Sequence, residues 1–301
     1  MCGIAGLYTK TDALRSQLGV HLAAMLQQLS DRGPDSAGVA FYRDRAPDGW
    51  CKISVHSPAE TGWDRLADAL ARQFGDASLT GVRATHATFV VAAGAGEVQA
   101  WLRAEHPELT LMSAGETIEI YKEAGLPTDF VQRFDLASIE GSHALGHTRM
   151  ATESRVTTEH SHPFSTGLDL CLVHNGSLSN HNRLRRALRK EGIHFQTDND
   201  SEVAAGYLTW KMAQGATLEQ ALDGCLDDLD GFYTFAVGTA DGFAVLRDPI
   251  ACKPAVMAET DEWVAMASEY RAIAVLPGAE DAVSWEPAPG RVYSWGTALV
   301  A

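Results

Sequence analysis

Two apolar runs, 232–239 and 243–247, meet across Asp241-Gly242, and this junction limits the possible folds more than any other stretch of the chain. An Asp-Gly pair supplies the backbone of a tight turn whose twist matches that of flanking strands, so the two runs read as an antiparallel hairpin. Further strand-like runs fall at 2–9, 37–42, 52–56, 143–147, 168–174, 263–268 and 291–295. Helical stretches come in separate groups. Leu14, Leu18, Leu22, Met25, Leu26 and Leu29 recur at steps of three and four, giving one apolar stripe that ends before the turn Arg32-Gly33-Pro34-Asp35. Another helix covers 182–190 and closes at Gly192, a third starts at Asp200, and a fourth opens on the capping-box pattern of Thr217 and Gln220. Antiparallel strands with segregated helices predict an α+β fold, with helices layered on sheets, and not a doubly wound parallel sheet.

Residues 61–139 read as a small α/β insertion within a domain that spans 1–301. A helix carries Trp63, Leu66, Leu70 and Phe74; a strand at 88–92, a helix at 98–104 and strands at 109–112 and 118–121 follow. The segment 92–96 (AAGAG) lacks the spacing of a phosphate-cradling glycine loop and reads as a plain strand-to-helix turn.

The formal net charge of -15 repels phosphate backbones and anionic headgroups, which excludes nucleic acid and membrane surfaces as partners. No window is long and apolar enough for a membrane-spanning helix, and the first ten residues do not read as a signal peptide, so a cytoplasmic location is expected. The five cysteines are scattered and lack a CxxC pair, which disfavours a disulfide framework or a zinc site. Four of them read as small core residues.

Cys2 is different because removal of Met1, permitted by a small second residue, would leave it at the chain terminus. A free α-amine titrates at about 7.7–8.0 and can take the thiol proton, so one residue would supply both nucleophile and base. Cleaving an amide also needs donors for the developing oxyanion, and Asn175-Gly176 offers a side-chain amide beside an unobstructed backbone N–H. The same dipeptide also reads as a turn between strands. Arg149 can grip an α-carboxylate with its two-pronged guanidinium and Asp200 can face an α-ammonium, although Asp200 also suits a helix N-cap. Histidines at 143, 147, 160, 162, 174 and 181 invite a metal reading, but no cysteine or carboxylate spacing completes one, so hydrogen-bonded pocket histidines are expected, with no metal and no cofactor.

The segments MCGIAGLY, RGPDSAG, GHTRMAT, HNG and NDSE resemble, in order, the motifs of class II (N-terminal nucleophile) glutamine amidotransferase domains. The resemblance covers residues 1–55 and 140–300. It implies a four-layer αββα sandwich, Cys2 as nucleophile, Asn175 and Gly176 as the oxyanion hole, Arg149 on the glutamine carboxylate and Asp200 on its amine. It also places Thr152 and His162 around the glutamine pocket and gives Arg32 the task of steadying the loop over the nucleophile. Two departures stand out: the chain reads TDNDSE where the family commonly shows TDSE, which leaves Asp198 as an alternative to Asp200, and the gap between RGPDS and GHTR is long. The segments IYKEAGLP, HNGSLSN, DLDGFYTF and RDPIACKPA are similar to stand-alone amidotransferase proteins related to the glutamate synthase N-terminal domain, among them the A subunit of N-methylglutamate synthase. That resemblance implies hydrolysis of L-glutamine in a hetero-oligomer, with ammonia or the glutamyl group passed to a separate, flavin-containing synthase subunit. Two other readings remain: a different N-terminal nucleophile amidohydrolase, and a non-catalytic structural subunit of a synthase complex.

Overall fold

The structure is a computed structural model and describes residues 2–59, 62–151 and 155–296. In chain order its strands are β1 Gly3–Thr9, β2 Ser36–Tyr42, β3 Cys51–His56, β4 Ala77–Arg83, β5 His86–Val91, β6 Thr110–Gly115, β7 Ile118–Ala124, β8 His143–Arg149, β9 Cys171–Leu178, β10 Gly231–Thr239, β11 Gly242–Arg247, β12 Val256–Glu259, β13 Trp263–Ala267, β14 Val283–Trp285 and β15 Val292–Gly296. The α-helices are α1 Asp12–Arg15, α2 Leu18–Gln28, α3 Trp63–Phe74, α4 Ala95–Glu105, α5 Pro127–Arg133, α6 His181–Lys190, α7 Asp200–Ala213, α8 Leu218–Asp228 and α9 Tyr270–Ile273.

Two antiparallel sheets form the centre. The larger has the order β14-β12-β13-β1-β8-β2-β7, and the smaller β15-β11-β10-β9. Their central strands are buried on both faces, because alternate side chains enter different cores. On β1, Ala5 and Leu7 pack with Leu22, Met25, Leu26 and Leu29 of the α2 layer, whereas Ile4 points into a second core with Val173, Ala236, Phe243 and Val245 of the other sheet. On β10, Ala236 faces that inter-sheet core, while Phe235 and Val237 pack with Val203, Leu208 and Leu222 of α7 and α8. The result is helix, sheet, sheet, helix: a four-layer αββα sandwich.

A third sheet, β4-β5-β3-β6, packs its apolar face with α3 and α4 around Ile53, Leu66, Leu70, Phe89 and Val98. Hydrogen bonding draws this unit differently from the span 61–139. β3 precedes that span yet pairs with β5 and β6, and β7 lies inside it yet pairs with β2 in the large sheet. β7 thereby links the two regions. Its Lys122 amine, fully buried and lowered to about 8 by loss of water, donates to the carbonyls of Glu159, Ser161 and Pro163. The loop carrying His162 is thus tied to the sheet edge. Gly38 of β2 makes that approach possible, since a Cβ there would stand 2.0 Å from the His162 carbonyl oxygen.

The apolar stripe at 14–29 is interrupted: α1 ends at Arg15, α2 starts at Leu18 and a 3-10 turn covers Ser30–Arg32. Asn175 and Gly176 are a clear correction to the turn reading. They lie inside β9, opposite Thr234 and Tyr233 of β10. The strand continues past the Asn-Gly pair because the ladder to β10 carries on through Leu178.

Candidate active site

Cys2 sits immediately ahead of β1, half-buried, with its thiol 3.7 Å from the Met150 carbonyl oxygen. Two donors fix its own carbonyl: Arg32 Nε at 3.0 Å and the Asn175 side-chain amide at 3.2 Å. Arg32 is buried in its 3-10 turn and its guanidinium also pairs with Glu269. It therefore acts on the backbone of Cys2 directly and does not line the cavity in front of the thiol. The turn after it clamps the neighbouring strand end: Asp35 N–H donates to the Arg149 carbonyl (3.0 Å) and the Asp35 carboxylate accepts from Ala151 N–H (2.7 Å).

In front of the thiol lies a cavity of about 650 Å³ whose walls include Cys2, Arg149, His162, Gly176 and Asp200. Arg149 ends β8, and its Nη1 donates to the Arg155 carbonyl at 2.9 Å. Burial lowers its guanidinium from the ordinary value, while Cys2, Asp35 and Asp200 pull it back up. Gly176 has no room for a side chain, because a Cβ would stand 2.1 Å from the Phe232 carbonyl and 2.6 Å from His174 Nε2. Asn175 lies just behind this wall, 3% exposed. Thr152, named from the sequence as a pocket residue, lies outside the described residues.

Asp200 is the first residue of α7, and the N-cap is Asn199, whose side chain accepts from Ser201 N–H. The Asp200 carboxylate is thus spared capping and instead accepts from Leu178 N–H at 2.9 Å and from the Ser201 hydroxyl at 3.3 Å. Asp198 reaches the cavity rim, but its side chain is 78% exposed and bonds His160 Nε2 at 2.8 Å.

Ser201, absent from the sequence reading, organises the histidines. Its Oγ lies 2.9 Å from His162 Nε2 and 2.8 Å from His174 Nδ1. A hydroxyl has one proton and two lone pairs, so a donation to Asp200 makes both imidazoles donors to Ser201 at those nitrogens. His147 stacks on His162 with ring centroids 4.0 Å apart and donates from Nε2 to the His174 carbonyl. Burial pushes all three imidazoles down, His147 to about 3, so each is neutral at pH 7. His181, one of the six histidines expected from the sequence to be pocket residues, lines the same wall, as do Lys253 and Phe232, which the sequence reading did not single out. The motif RDPIACKPA contained Lys253, but its spacing carried no sign of where the amine would lie.

The buried histidines give an acid sensitivity with a definite sign. Between 6.5 and about 3 the unfolded chain binds a proton at His147 that the folded chain refuses, so stability falls as pH drops through that window. From pH 7 to pH 5 this one residue is expected to remove about 2 kcal/mol. Denaturant unfolding of wild type and His147→Gln at both pH values checks it: the variant should lose less stability on acidification, and equal losses overturn the assignment.

Among the described residues, no three His, Cys, Asp or Glu side chains come together as a metal site. No helix among them is long and apolar enough to cross a membrane. The four-layer αββα sandwich, with Cys2 at the head of a central strand and facing a cavity walled by Arg149 and Asp200, is the N-terminal nucleophile hydrolase fold.

A family model described as "Glutamine amidotransferase domain" matches residues 147–275. The chain is 57% identical to the "Glutamine amidotransferase-like protein GlxB" of Rhizobium meliloti over 297 residues, covering 98% of each protein. It is 31% identical over 304 residues to a Methanothermobacter thermautotrophicus protein provisionally named a glutamine amidotransferase, covering 97% of this chain and 99% of that one. The solved glutamine phosphoribosylpyrophosphate amidotransferase of B. subtilis shares the fold at a TM-score of 0.63 and 21% identity; the match covers 98% of this chain and 47% of the larger one. The chain belongs to the glutamine amidotransferase family and has the N-terminal nucleophile hydrolase fold.

Proposed function

We propose that residues 1–301 form one class II glutaminase domain, with the small-sheet region in 61–139 as an elaboration of it, and that Cys2 is the nucleophile. After loss of Met1, the Cys2 amine accepts the thiol proton and the sulfur attacks the side-chain carbonyl carbon of L-glutamine. A C–S bond forms and the oxygen takes up negative charge, held by the Asn175 side-chain amide and the Gly176 N–H. Collapse breaks the C–N bond, the α-ammonium gives its proton to the departing nitrogen, and ammonia leaves. Water then cleaves the γ-glutamyl thioester to release glutamate. Arg149 pairs with the glutamine carboxylate and Asp200 with its ammonium; His162 orders the pocket wall through Ser201, and Arg32 steadies the Cys2 carbonyl.

The observation that carries this reading is the clamp on Cys2: Asn175 Nδ2 lies 3.2 Å from the Cys2 carbonyl, so the amide donor and the nucleophile are held in one rigid unit. Ammonia or the glutamyl group passes to a separate synthase subunit of the glutamate synthase or N-methylglutamate synthase type, a flavin-containing cytoplasmic partner in a hetero-oligomer. Resemblance of the chain to stand-alone amidotransferase subunits supports that assignment. Arg149→Lys tests the pocket. An ammonium lacks the guanidinium fork, so the Michaelis constant for glutamine should rise about 10- to 100-fold with a smaller change in kcat. An unchanged Michaelis constant in glutaminase assays would remove Arg149 from the carboxylate site.

A further inference from the structure

The helix α6 has the sequence HNRLRRALRK, which gathers five cations and no acid into ten residues of a chain whose net charge is -15. Arg185, Arg186 and Arg189 from this helix, with Arg155 from the segment after Arg149, line a cavity of about 580 Å³ beside the one in front of Cys2. Among the described residues, none of these four arginines makes an ion pair within 4.0 Å. The acidic side chain in the cavity wall, Asp198, is engaged by His160. Glu202, and after it Asp198 and Asp200, act on Arg185 from nearby, yet the Glu202 oxygens accept from Gln196 N–H, Thr197 N–H and the Thr197 hydroxyl, and the Asp200 carboxylate accepts from Leu178 N–H and the Ser201 hydroxyl.

Arg185 is only 7% exposed, and its Nε has no hydrogen-bond partner among the described residues. Its two terminal nitrogens donate to Asn182 Oδ1 and to the Asn199 carbonyl, which fixes the guanidinium in the cavity wall. Like charges brought together this way repel one another, and a ligand with several negative oxygens relieves that repulsion while accepting forked hydrogen bonds. We infer that this arginine-lined cavity binds a small polyanion carrying phosphoryl or carboxylate groups.

Three covalent or hydrogen-bonded links join the cavity to the neighbouring pocket. Arg155 accepts from Arg149 through its carbonyl, Arg185 holds the residue that caps Asp200's helix, and Asp198 lies on both walls. An anion drawn against Arg155 and Arg185 therefore pulls on the groups that flank glutamine, and its binding shifts the Michaelis constant for glutamine. The shift rests on the glutamine-binding roles given above to Arg149 and Asp200. The binding itself does not.

Titration calorimetry on the full chain with inorganic pyrophosphate, and separately with citrate, measures binding without any turnover. Saturable binding of at least one anion is expected, weakened about tenfold or more in the double variant Arg186→Gln/Arg189→Gln, whose exposed side chains are not part of the core. Tighter binding of pyrophosphate assigns a phosphoryl ligand, and tighter binding of citrate a polycarboxylate. Absence of saturable binding by both anions, or equal binding by the double variant, overturns the site and leaves the face to an acidic segment of a protein. A glutamine Michaelis constant that moves with the anion in wild type but not in the double variant supports the coupling, and one that stays fixed while the anion binds overturns it.

Discussion

Cys2→Ala is expected to lower glutamine hydrolysis by about 10⁴-fold or more, because the variant loses the only atom proposed to bond the substrate carbon. The substitution removes one sulfur from a half-buried position. It leaves the Cys2 carbonyl, and with it the bonds from Arg32 and Asn175, in place. Thermal unfolding should therefore stay close to wild type, which separates chemical loss from misfolding. Treatment with the glutamine-like electrophile 6-diazo-5-oxo-norleucine should add one adduct to the wild-type chain, on Cys2, and none to the variant. Cys51, Cys171 and Cys225 are poor competitors: they are buried, and loss of water pushes the Cys51 thiol up to about 11 and the Cys171 thiol to about 12. Exposed Cys252 is the internal control, since an adduct there reports general thiol reactivity. A chain that keeps Met1 should be as inactive as the alanine variant, because an amide nitrogen has no lone pair available for the thiol proton. Labelling that persists without the Cys2 sulfur, or full turnover with Met1 attached, would sink the mechanism.

The layered α+β architecture was legible because it depends on local signals. The Asp241-Gly242 turn joins β10 and β11, and the Thr217 capping box opens α8 with both of its hydrogen bonds formed. Shorter or weaker elements escaped for physical reasons. β4 alternates half-buried and exposed positions, contains Gly81 and, among the described residues, pairs with β5 alone, so it has little of the apolar density that marks a strand. α5 does carry a local sign, proline at its first helical position, but spans only seven residues. β9 shows where a dipeptide rule fails: Asn-Gly favours a turn when the flanking chain is free, and here the ladder to β10 overrides it.

The site was legible by residue type and less so by arrangement. Cys2, Arg149, His162, Gly176 and Asp200 line one cavity, although the residues are scattered along nearly two hundred positions of chain. Spacing alone gave no reason to bring Asn175 to Cys2, since 173 positions separate them. Ser201 was invisible for a different reason. A serine in the first turn of a helix looks like capping chemistry, and its second role arises only where β9 and the 160–163 loop bring His174 and His162 to the same hydroxyl.

Asn175→Ala is the most direct test of charge stabilisation, and a fall in kcat of about 10²- to 10³-fold is expected with little change in the Michaelis constant. The ground-state amide oxygen of glutamine is nearly neutral, whereas the tetrahedral intermediate carries a full charge on that atom. A donor aimed at the charged species therefore affects the barrier more than the binding. The structure adds a complication that the experiment must separate. Asn175 also donates to the Cys2 carbonyl, so truncation leaves a carbonyl with Arg32 as its remaining side-chain donor and shifts the nucleophile as well. Asn175→Asp keeps the shape but exchanges the amide donor for a carboxylate acceptor, placing negative charge where the oxyanion would form. If the role is electrostatic, the aspartate variant should be slower than the alanine variant at neutral pH and should recover part of the difference on acidification, as the carboxyl gains a proton to donate. If Asn175 serves only to hold Cys2, both variants should slow labelling by 6-diazo-5-oxo-norleucine and turnover in equal proportion, with no such recovery in acid. A neutral pH profile together with an unaltered kcat in the alanine variant would leave the oxyanion to Gly176 and another donor.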